Sequence, residues 1–286
     1  MSNQTGILYV VATPIGNLED LAPRAQRVLG EVDLIAAEDT RHSGRLLQHF
    51  GIRTPVTPFH EHNERDKAAE LVALLRQGKR LALVSDAGTP LVSDPGYRLV
   101  RAAHAAGARV VPVPGACAAI AALSASGLPS DRFAFEGFPP AKGAARRAWL
   151  DRLAHEPRTL IFYESPHRIV ESLRDMAAVF GAAREAVYAR ELTKQFETVR
   201  HATLGELAAW VAADDKQQLG EIVVLVHGVV AHADSAAGEE AQRVLRLLLR
   251  ELPVSQAAAL AADITGRKKN ELYELALRFK SGAAGA

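Results

Sequence analysis

The chain lacks cysteine beyond a single residue, long apolar runs, and an excess of either charge. One cysteine among 286 residues cannot build a disulfide framework or a Cys-based structural zinc site, and it fits a reducing compartment. The apolar runs are short and the first residues form no basic segment, so we expect neither a signal peptide nor a membrane span. These absences predict a cytoplasmic protein.

The overall composition is that of a globular protein. Hydrophobic residues make up 48% and charged residues 23%, which excludes the disordered and collagen-like classes. The length suggests about two domains. A formal charge of +1 hides any local imbalance, so by itself it neither supports nor excludes a nucleic-acid partner.

Short β-branched runs alternate with helical patterns over most of the chain, which predicts an α/β fold. In the first half, strands are predicted at 8–12, 32–36, 80–85 and 109–113, and helices around 21–29, 66–77, 97–106 and 117–125. Because these strands are almost wholly apolar, we expect a parallel sheet covered on both faces. Gly and Pro cluster just after the strands end, and open α/β sheets bind ligands at that edge.

A second α/β set follows the turn signals at 127–130. Its strands are predicted at 133–138, 159–163, 186–191 and 221–226, and its helices around 144–153, 169–179 and 204–212. The predicted organisation is an N-terminal α/β domain at 1–126, a second α/β domain at 127–228, a linker at 229–238 and a helical C-terminal module at 239–286.

The C-terminal module combines helical patterns with positive charge. Its helices are predicted at 239–251, 255–262 and 269–280. Residues 241–280 contain eight Lys or Arg and four Asp or Glu, a local surplus of four in a chain whose total charge is +1. A basic helical appendage after a linker favours a module that grips nucleic acid. A capping or dimerisation bundle is the alternative that these residues leave open.

The loop from Ser85 to Gly96 has the densest set of site-forming residues. It follows an apolar strand and contains two Asp, two Gly and two Pro in twelve residues. Glycine lets a backbone approach a ligand closely, and proline keeps a loop rigid. A carboxylate here would bind an amine, a hydroxyl or a cation. At the next strand end, Pro114-Gly115 opens onto a helix N-terminus, which suits an anion, although a plain connection explains it nearly as well.

Other patterns exclude common chemistries or have structural alternatives. The loop at 12–20 is not a dinucleotide fingerprint, and neither a Walker A sequence nor G-x-S-x-G is present. The two histidines in segment 60–64 have weak spacing for zinc, which favours a polar rim or a solvated loop over a metal site. Asp39 or Thr40 would serve as an ordinary helix N-cap, and Cys117 as a small buried hydrophobe.

Eight motifs follow one another along the chain: YVVATPIGNLEDL, AAEDTRHSGRLL, LVSDAGTPLVSDPG, VVPVPGACAAIAAL, FEGFPP, FYESPHRI, ARELTKQFE and GEIVVLV. Together they resemble the tetrapyrrole methylase superfamily, and within it the branch that methylates small-subunit ribosomal RNA. The likeness spans about residues 6–280, with GRKKNELY in the basic module. It implies two α/β domains with S-adenosylmethionine in the cleft between them, and a homodimer. The implied substrate is a cytidine 2′-oxygen in the decoding region of 16S ribosomal RNA, on the small ribosomal subunit.

Two loops depart from the pattern of the wider superfamily. The first loop reads ATPIGN where other members are glycine-rich, and Ser85-Asp86-Ala87 stands where they have Gly-Asp-Pro. The departures support a substrate other than a tetrapyrrole. C-methylation of a tetrapyrrole is the same-fold alternative, and a ribosome-binding protein without catalysis is the alternative from another class.

The resemblance also implies which residues bind the cofactor. Asp86, Gly88 and Thr89 would lie near its methionine part, Pro114, Gly115, Cys117 and Ala118 across the same pocket, and Tyr163 and Gly220-Glu221 near its adenosine. The physical chemistry agrees, because a rigid loop with an Asp, and backbone donors at a helix start, match the ammonium and carboxylate of methionine. No metal is needed.

A ribose hydroxyl is a poor acid, so a carboxylate or a lysine should orient it or accept its proton. The candidates for this catalytic role are Glu38, Asp39, Glu164, Lys194 and Glu197. Substrate contacts to phosphate or ribose are predicted for Arg41, His60, Arg168 and Arg190, and further RNA contacts for Arg267, Lys268 and Lys269.

Overall fold

The computed structural model of the protein describes residues 5–229 and 233–280, and the side chains of all of these except 233–240. The chain divides into two units, which we call unit 1 (Met1–Gly228) and unit 2 (Val229–Ala286). Unit 1 holds two β-sheets with their helices, and unit 2 is helical over its described residues.

The first half of unit 1 is a parallel sheet. Strands β1 to β5 span Ile7–Val11, Leu34–Ala37, Val56–Pro58, Arg80–Val84 and Arg109–Val113, in the order β3-β2-β4-β1-β5. Helices α1 to α4 span Pro23–Glu31, Thr40–His49, Glu64–Arg76 and Tyr97–Ala105. Buried side chains of α1 and α2 cover one face of the sheet, and those of α3 and α4 cover the other. The predicted parallel sheet with two covered faces is confirmed.

The second half of unit 1 is a mixed sheet. Strands β6 to β10 span Phe133–Gly137, Thr159–Glu164, Glu185–Arg190, Thr198–Thr203 and Ile222–Val226, in the order β6-β7-β10-β8-β9. The β6–β7 pair is parallel, and the other three neighbouring pairs are antiparallel. Helices α6 to α8, at Gly143–Asp151, Ile169–Phe180 and Leu204–Ala213, cover one face.

Helix α5 (Ala118–Ser126) joins the two halves of unit 1. It follows the last strand of the first sheet, yet its buried residues Ala119, Ala122 and Leu123 pack on the second sheet. The helix ends at Gly127, which has a left-handed φ of +72°. The predicted domain boundary after residue 126 therefore coincides with a helix end, while the packing continues across it.

Two edge strands, β3 and β9, have no counterpart among the predicted strands. Strand β3 has three residues and ends in a proline, which suits only the edge of a sheet. Strand β9 exposes Val199, Arg200 and His201 in succession. Neither segment carries the apolar run or the strict alternation from which strands are predicted.

Unit 2 is a small three-helix core. Helices α9, α10 and α11 span Ala233–Leu248, Val254–Thr265 and Lys269–Lys280, around buried residues that include Leu245, Ala258 and Leu272. The structure differs here from the predicted linker at 229–238, because residues 233–238 form the start of α9. Alanine is the strongest helix former, and the three alanines of this segment outweigh the small polar residues that indicate a linker.

Parts of the predicted linker and module, residues 230–232 and 281–286, lie outside the described residues. Within the described ranges, no helix is both long enough and apolar enough to cross a membrane.

Candidate active site

A pocket of about 430 Å³ lies in unit 1, where loops at the carboxyl ends of strands in the first sheet meet residues of the second sheet. It is lined by Ile15, Glu38, residues 86–89, residues 92–94, Cys117, Ala118, Phe138, residues 163–166, Leu192 and residues 220–223. Both halves of unit 1 therefore contribute to one site.

Hydrogen bonds between the loops fix this pocket. Thr13 and Gly88 exchange two backbone bonds, of 2.8 and 3.1 Å, which join the loop after β1 to the loop after β4. The hydroxyl of Thr89 donates to the carbonyl oxygen of Ala116 at 3.0 Å, which adds the loop after β5. Gly88 has φ +83°, and a Cβ there would lie 3.2 Å from Cγ2 of Ile15. Glycine is therefore favoured by the backbone conformation, and any side chain would also press on Ile15.

Three carboxyl groups, those of Glu38, Asp86 and Asp94, line the same pocket. Burial raises the pKa of Glu38 to about 7, with further contributions from the nearby Asp94 and Asp86 carboxylates. Burial also raises the pKa of Asp94 to about 6; a hydrogen bond from Ser85 opposes the rise and the charge of Asp86 adds to it. A positive ligand stabilises the ionised form of neighbouring carboxyl groups. The three carboxyl groups of this pocket therefore suit a positively charged ligand.

Asp39, a predicted catalytic residue, is instead the N-cap of α2. Its carboxylate accepts the backbone N–H groups of Arg41 and His42 at 2.7 and 3.3 Å, and these bonds lower its pKa. Its own backbone N–H donates to Oδ1 of Asp86 at 2.9 Å. Asp39 does not line the pocket. Asp39 affects the site indirectly, because its backbone N–H orients the Asp86 carboxylate.

The N-terminus of α5 faces the pocket through Cys117 and Ala118. The hydroxyl oxygen of Tyr163, on β7, accepts the backbone N–H of Ala119 at 3.1 Å. Burial raises the pKa of Tyr163, and Cys117 adds to the rise. The tyrosine thereby caps the helix as a neutral hydroxyl and links the two halves of unit 1.

Pro114 and Gly115, predicted cofactor contacts, lie next to the pocket and outside its lining. A Cβ on Gly115 would lie 2.9 Å from the Cβ of Ala12, in the loop after β1. Gly115 therefore allows two strand-end loops to pack closely.

Lys194, another predicted catalytic residue, is held in ion pairs at the rim of the pocket. Its Nζ lies 2.8 Å from Oε1 of Glu191 and 2.9 Å from Oε2 of Glu221. Partial burial lowers its pKa, but the two glutamates more than compensate, so the pKa of Lys194 is raised. Its stem packs against Gly16, where any Cβ would collide with it. A raised pKa and two ion-pair partners are unfavourable for the predicted role as a base.

Glu164 lines the pocket, yet its buried carboxylate is occupied by partners. It accepts the backbone N–H of Ser165 at 2.7 Å and the hydroxyl of Ser172, and it pairs with Nη2 of Arg168 at 2.8 Å. These contacts make Glu164 a structural anion at the end of β7. Arg168, a predicted substrate contact, is engaged in the same pair.

Glu197 and Arg190 lie outside the pocket lining. Glu197 is exposed and accepts the backbone N–H of Thr193 at 2.6 Å. Arg190 is buried and donates to the carbonyl oxygens of Leu219 and Phe196, at 3.4 and 3.1 Å. Arg190 therefore braces the two loops that contain Phe196 and Leu219.

The remaining predicted cations are distributed over both units. In unit 1, the side chain of Arg41 is 90% exposed, and His60 is half-buried beside β3; neither lines the pocket. In unit 2, Arg267 pairs with Glu271 at 3.5 Å, and Lys268 and Lys269 are exposed where α11 begins.

The structure thus brings part of the predicted site together. The predicted residues that share the pocket are Glu38, Asp86, Gly88, Thr89, Cys117, Ala118, Tyr163 and Glu164, together with Gly220 and Glu221. Asp94 and Phe138 also line the pocket, although neither was predicted as a site residue. The signal was present, because Asp94 belongs to the same twelve-residue loop as Asp86, and Phe138 directly follows a strand, as ligand-binding residues commonly do.

Among the described residues, no group of three or more His, Cys, Asp or Glu side chains is arranged to hold a metal ion.

The family model for Tetrapyrrole (Corrin/Porphyrin) Methylases matches residues 7–208, and the chain belongs to this family. A second model, the RsmI C-terminal HTH domain, matches residues 235–280 and so covers the three helices of unit 2 almost completely. The chain is therefore a methyltransferase with a helix-turn-helix module.

Individual relatives show which kind of methyltransferase this chain is similar to. Ribosomal RNA small subunit methyltransferase I of Pseudomonas aeruginosa is 64% identical over 274 residues, covering 96% of this chain and 97% of the relative. The protein of the same name from Escherichia coli O157:H7 is 58% identical, with 96% of each chain covered. A crystal structure of uroporphyrin-III C-methyl transferase from Thermus thermophilus, complexed with S-adenyl homocysteine, aligns with a TM-score of 0.53 at 19% identity. That alignment covers 80% of this chain and all of the other, and it shows the shared fold.

Proposed function

We propose that the protein transfers a methyl group from S-adenosylmethionine to the 2′-oxygen of a cytidine in the decoding region of 16S ribosomal RNA. The observation that carries the proposal is the pocket in which Glu38, Asp86 and Asp94 converge, in a chain that is 64% identical to a ribosomal RNA small subunit methyltransferase I. The choice of a cytidine in the decoding region rests on the motifs of the ribosomal RNA branch.

The residues of the pocket fit this cofactor. S-adenosylmethionine carries an ammonium and a sulfonium, and when bound it supplies a methyl group that a hydroxyl oxygen attacks as the carbon–sulfur bond breaks. Asp86 and Asp94 offer negative charge to these cationic groups. Gly88, Thr89, Cys117, Ala118 and Tyr163 would hold the rest of the molecule.

Glu38 is the proposed catalytic base. Of the five predicted candidates it lines the pocket without an ion pair, whereas Asp39, Glu164 and Lys194 are engaged in capping or ion pairs and Glu197 lies outside. A base works best when its pKa lies near the working pH, and the pKa of Glu38 is about 7. Glu38 accepts the hydroxyl proton as the oxygen attacks the methyl carbon, and passes it to solvent. This chemistry favours an oxygen nucleophile, which has a proton to lose.

Alignment supplies much of the remaining rate. Methyl transfer is an in-line displacement, and holding two reactants in line contributes up to about 7–11 kcal/mol. The hydrogen bonds that join Thr13 to Gly88, and Thr89 to Ala116, keep the cofactor loops in one arrangement. These interlocked loops therefore hold the methyl group of the cofactor in line with the attacking oxygen.

Unit 2 is proposed to bind RNA. Lys268 and Lys269 are exposed where α11, the last of the three helices that the matched domain covers, begins. Cations there neutralise phosphates and hold a nucleic acid in register without reading its bases. This basic module also disfavours a tetrapyrrole substrate.

The decisive experiment uses the purified protein, methyl-labelled S-adenosylmethionine and small ribosomal subunits from a strain that lacks its own copy of this gene. We expect label on a ribose 2′-oxygen of one cytidine of the 16S RNA. Label on a base, or on uroporphyrinogen offered instead of subunits, would overturn the proposed substrate.

Two further parts of the proposal concern the state of the protein in the cell. It acts in the cytoplasm, where small subunits are found, and as a homodimer. Unit 1 exposes Ile120, Phe196 and Leu219, apolar side chains of the kind that dimer interfaces cover. Sedimentation equilibrium at micromolar concentration tests the dimer, and a monomer mass would contradict it.

A further inference from the structure

Phe138 is a large apolar side chain that lines the pocket and is still 52% exposed. It follows β6, where the pairing with β7 shifts register between Phe135 and Gly137. Gly137 has a left-handed φ of +66°. Bulges of this kind bend a strand and re-aim the next side chain, and they are common beside active sites. The local backbone is thus built to turn Phe138 to the pocket.

The segment that carries Phe138 is fastened at two points. Nη1 of Arg168 donates to the carbonyl oxygen of Pro139 at 3.4 Å, and Nη1 of Arg146 donates to that of Ala141 at 3.3 Å. Arg146 is itself fully buried and held by Asp175 at 2.7 Å. Two consecutive prolines stiffen the segment further. Because this segment is rigid, the exposed ring of Phe138 loses little conformational entropy when it binds a ligand.

One side of the Phe138 ring is covered and another is available. Its centroid lies 5.6 Å from that of Tyr163, with the two planes at 65°. Such an edge-on contact covers only part of the ring, and 52% of the residue's surface remains exposed. Tyr163 cannot turn away, because it packs on Phe135 and caps Ala119. The open face of Phe138 is therefore a fixed stacking surface.

We infer that Phe138 stacks on the base of the nucleotide that is methylated. This inference rests on the proposed function and adds a specificity residue to it. Sequence-specific RNA recognition commonly stacks unpaired bases on aromatic side chains. Phe138 offers such a surface at the same pocket as Glu38.

Two observations favour a base of the RNA over the adenine of the cofactor. Phe138 is the more exposed of the two aromatic rings in the pocket, Tyr163 being half-buried, and an incoming substrate meets the exposed one. Lys142, four residues further on, is also exposed and suits a phosphate, which RNA carries and S-adenosylmethionine lacks.

The test compares Phe138→Ala and Phe138→Trp with Phe133→Ala, all in the full chain. Phe133 is the matched control, since it is an exposed phenylalanine at the opposite end of the same strand. With each variant, the affinity for oligocytidylate and for an abasic oligomer of equal length is measured in the presence of S-adenosylhomocysteine. Both oligomers carry the same phosphates, so the ratio of affinities isolates the base.

We expect the wild type, Phe133→Ala and Phe138→Trp to prefer oligocytidylate by about 10-fold or more, the scale of stacking one base. Phe138→Ala should lose that preference, while its affinity for S-adenosylhomocysteine stays within about twofold. Unchanged preference in Phe138→Ala, no preference in the wild type, or a loss of S-adenosylhomocysteine affinity as large as the loss for RNA would each overturn the inference. Methylation of small subunits by the wild type is scored separately, so a failure of the proposed function is recognised by itself.

Discussion

Glu38 and Asp94 bind protons in the pH range in which exposed carboxyl groups are already ionised. Burial and the mutual proximity of the pocket acids raise their pKa values to about 7 and about 6. An unfolded chain would release both protons near the ordinary values of 4.5 and 3.8. Between the two sets of values the folded state holds more protons, so the free energy of unfolding falls as the pH rises and levels off above about 7.

The first prediction concerns stability. Glu38→Gln should be more stable than the wild type at pH 8, by about 1–2 kcal/mol, because it removes a charge that the pocket disfavours. The figure is below the full linkage value, since the side chain is only half-buried. At pH 4.5 the difference should vanish. Urea denaturation at both pH values measures it, with the exposed α3 residue changed in Glu70→Gln as control. A Glu38→Gln protein no more stable at pH 8 than the wild type would contradict the raised pKa.

The second prediction concerns catalysis by the same residue. Glu38→Gln should lower kcat by about 10²- to 10⁴-fold, the usual contribution of a general base. The kcat/KM of the wild type should rise with pH up to about 7, the pKa of Glu38, and this rise should be absent from the variant. Cofactor affinity, measured by calorimetry, separates a lost base from a lost binding site. A variant with wild-type kcat would mean that another group, or water, takes the proton.

At the scale of the element, the loops after β1, β4 and β5 act as one interlocked structure. Gly88 is at its centre, since its backbone pairs with Thr13 and it lies against Ile15. Gly51, after α2, has a similar left-handed φ of +68°, but a Cβ there would have nothing within 4 Å. The two glycines therefore share backbone strain and differ in contacts.

The third prediction compares alanine substitutions at Gly88 and Gly51. Gly88→Ala and Gly51→Ala should each lose about 1–2 kcal/mol of stability, the cost of a side chain in the left-handed region. Only Gly88→Ala should also bind S-adenosylmethionine more weakly, by about 10-fold, because the added Cβ displaces Ile15, which lines the pocket. Thermal unfolding and calorimetric titration give the two quantities. Equal cofactor affinity in both variants would show that the interlock does not shape the pocket.

At the scale of the whole molecule, unit 1 holds the pocket and unit 2 carries the exposed cations of the helix-turn-helix module. The near-zero charge of the chain conceals this division, because the positive surplus is concentrated in residues 241–280. Affinity for RNA that depends on such cations falls steeply with salt, since each neutralised phosphate releases counterions.

The fourth prediction concerns the salt dependence of RNA binding, which reflects the release of counterions from phosphates. The double variant Lys268→Gln, Lys269→Gln should bind 16S RNA more weakly, and the slope of log affinity against log salt should decrease by about 1.5. Its affinity for S-adenosylmethionine should be unchanged. Lys216→Gln, an exposed lysine of unit 1, serves as control. An unchanged salt slope in the double variant would assign RNA binding to another surface.

Much of the fold follows from local patterns. The apolar runs that form β1, β2, β4 and β5 predict a buried parallel sheet, and the loop with Asp86 and Gly88 predicts a ligand site at its edge. The edge strand β9 escapes prediction because its exposed side chains form no apolar run. The start of α9 escapes because alanine-rich, glycine-containing segments occur in both linkers and helices.

The candidate site, like the fold, was predictable from the sequence only in part. Which residues could do chemistry was predictable from the sequence, since carboxylates, glycines and cations follow strand ends in a pattern that also marks the family. Which of them are available depends on the contacts that each side chain makes in the folded chain. Glu164 is neutralised by Arg168, Lys194 is held by Glu191, Asp39 caps a helix, and Glu38 stays in the pocket with its pKa raised. The reason is physical: the reactivity of a charged group depends on its partners and its burial, and both are set by residues far away in the chain.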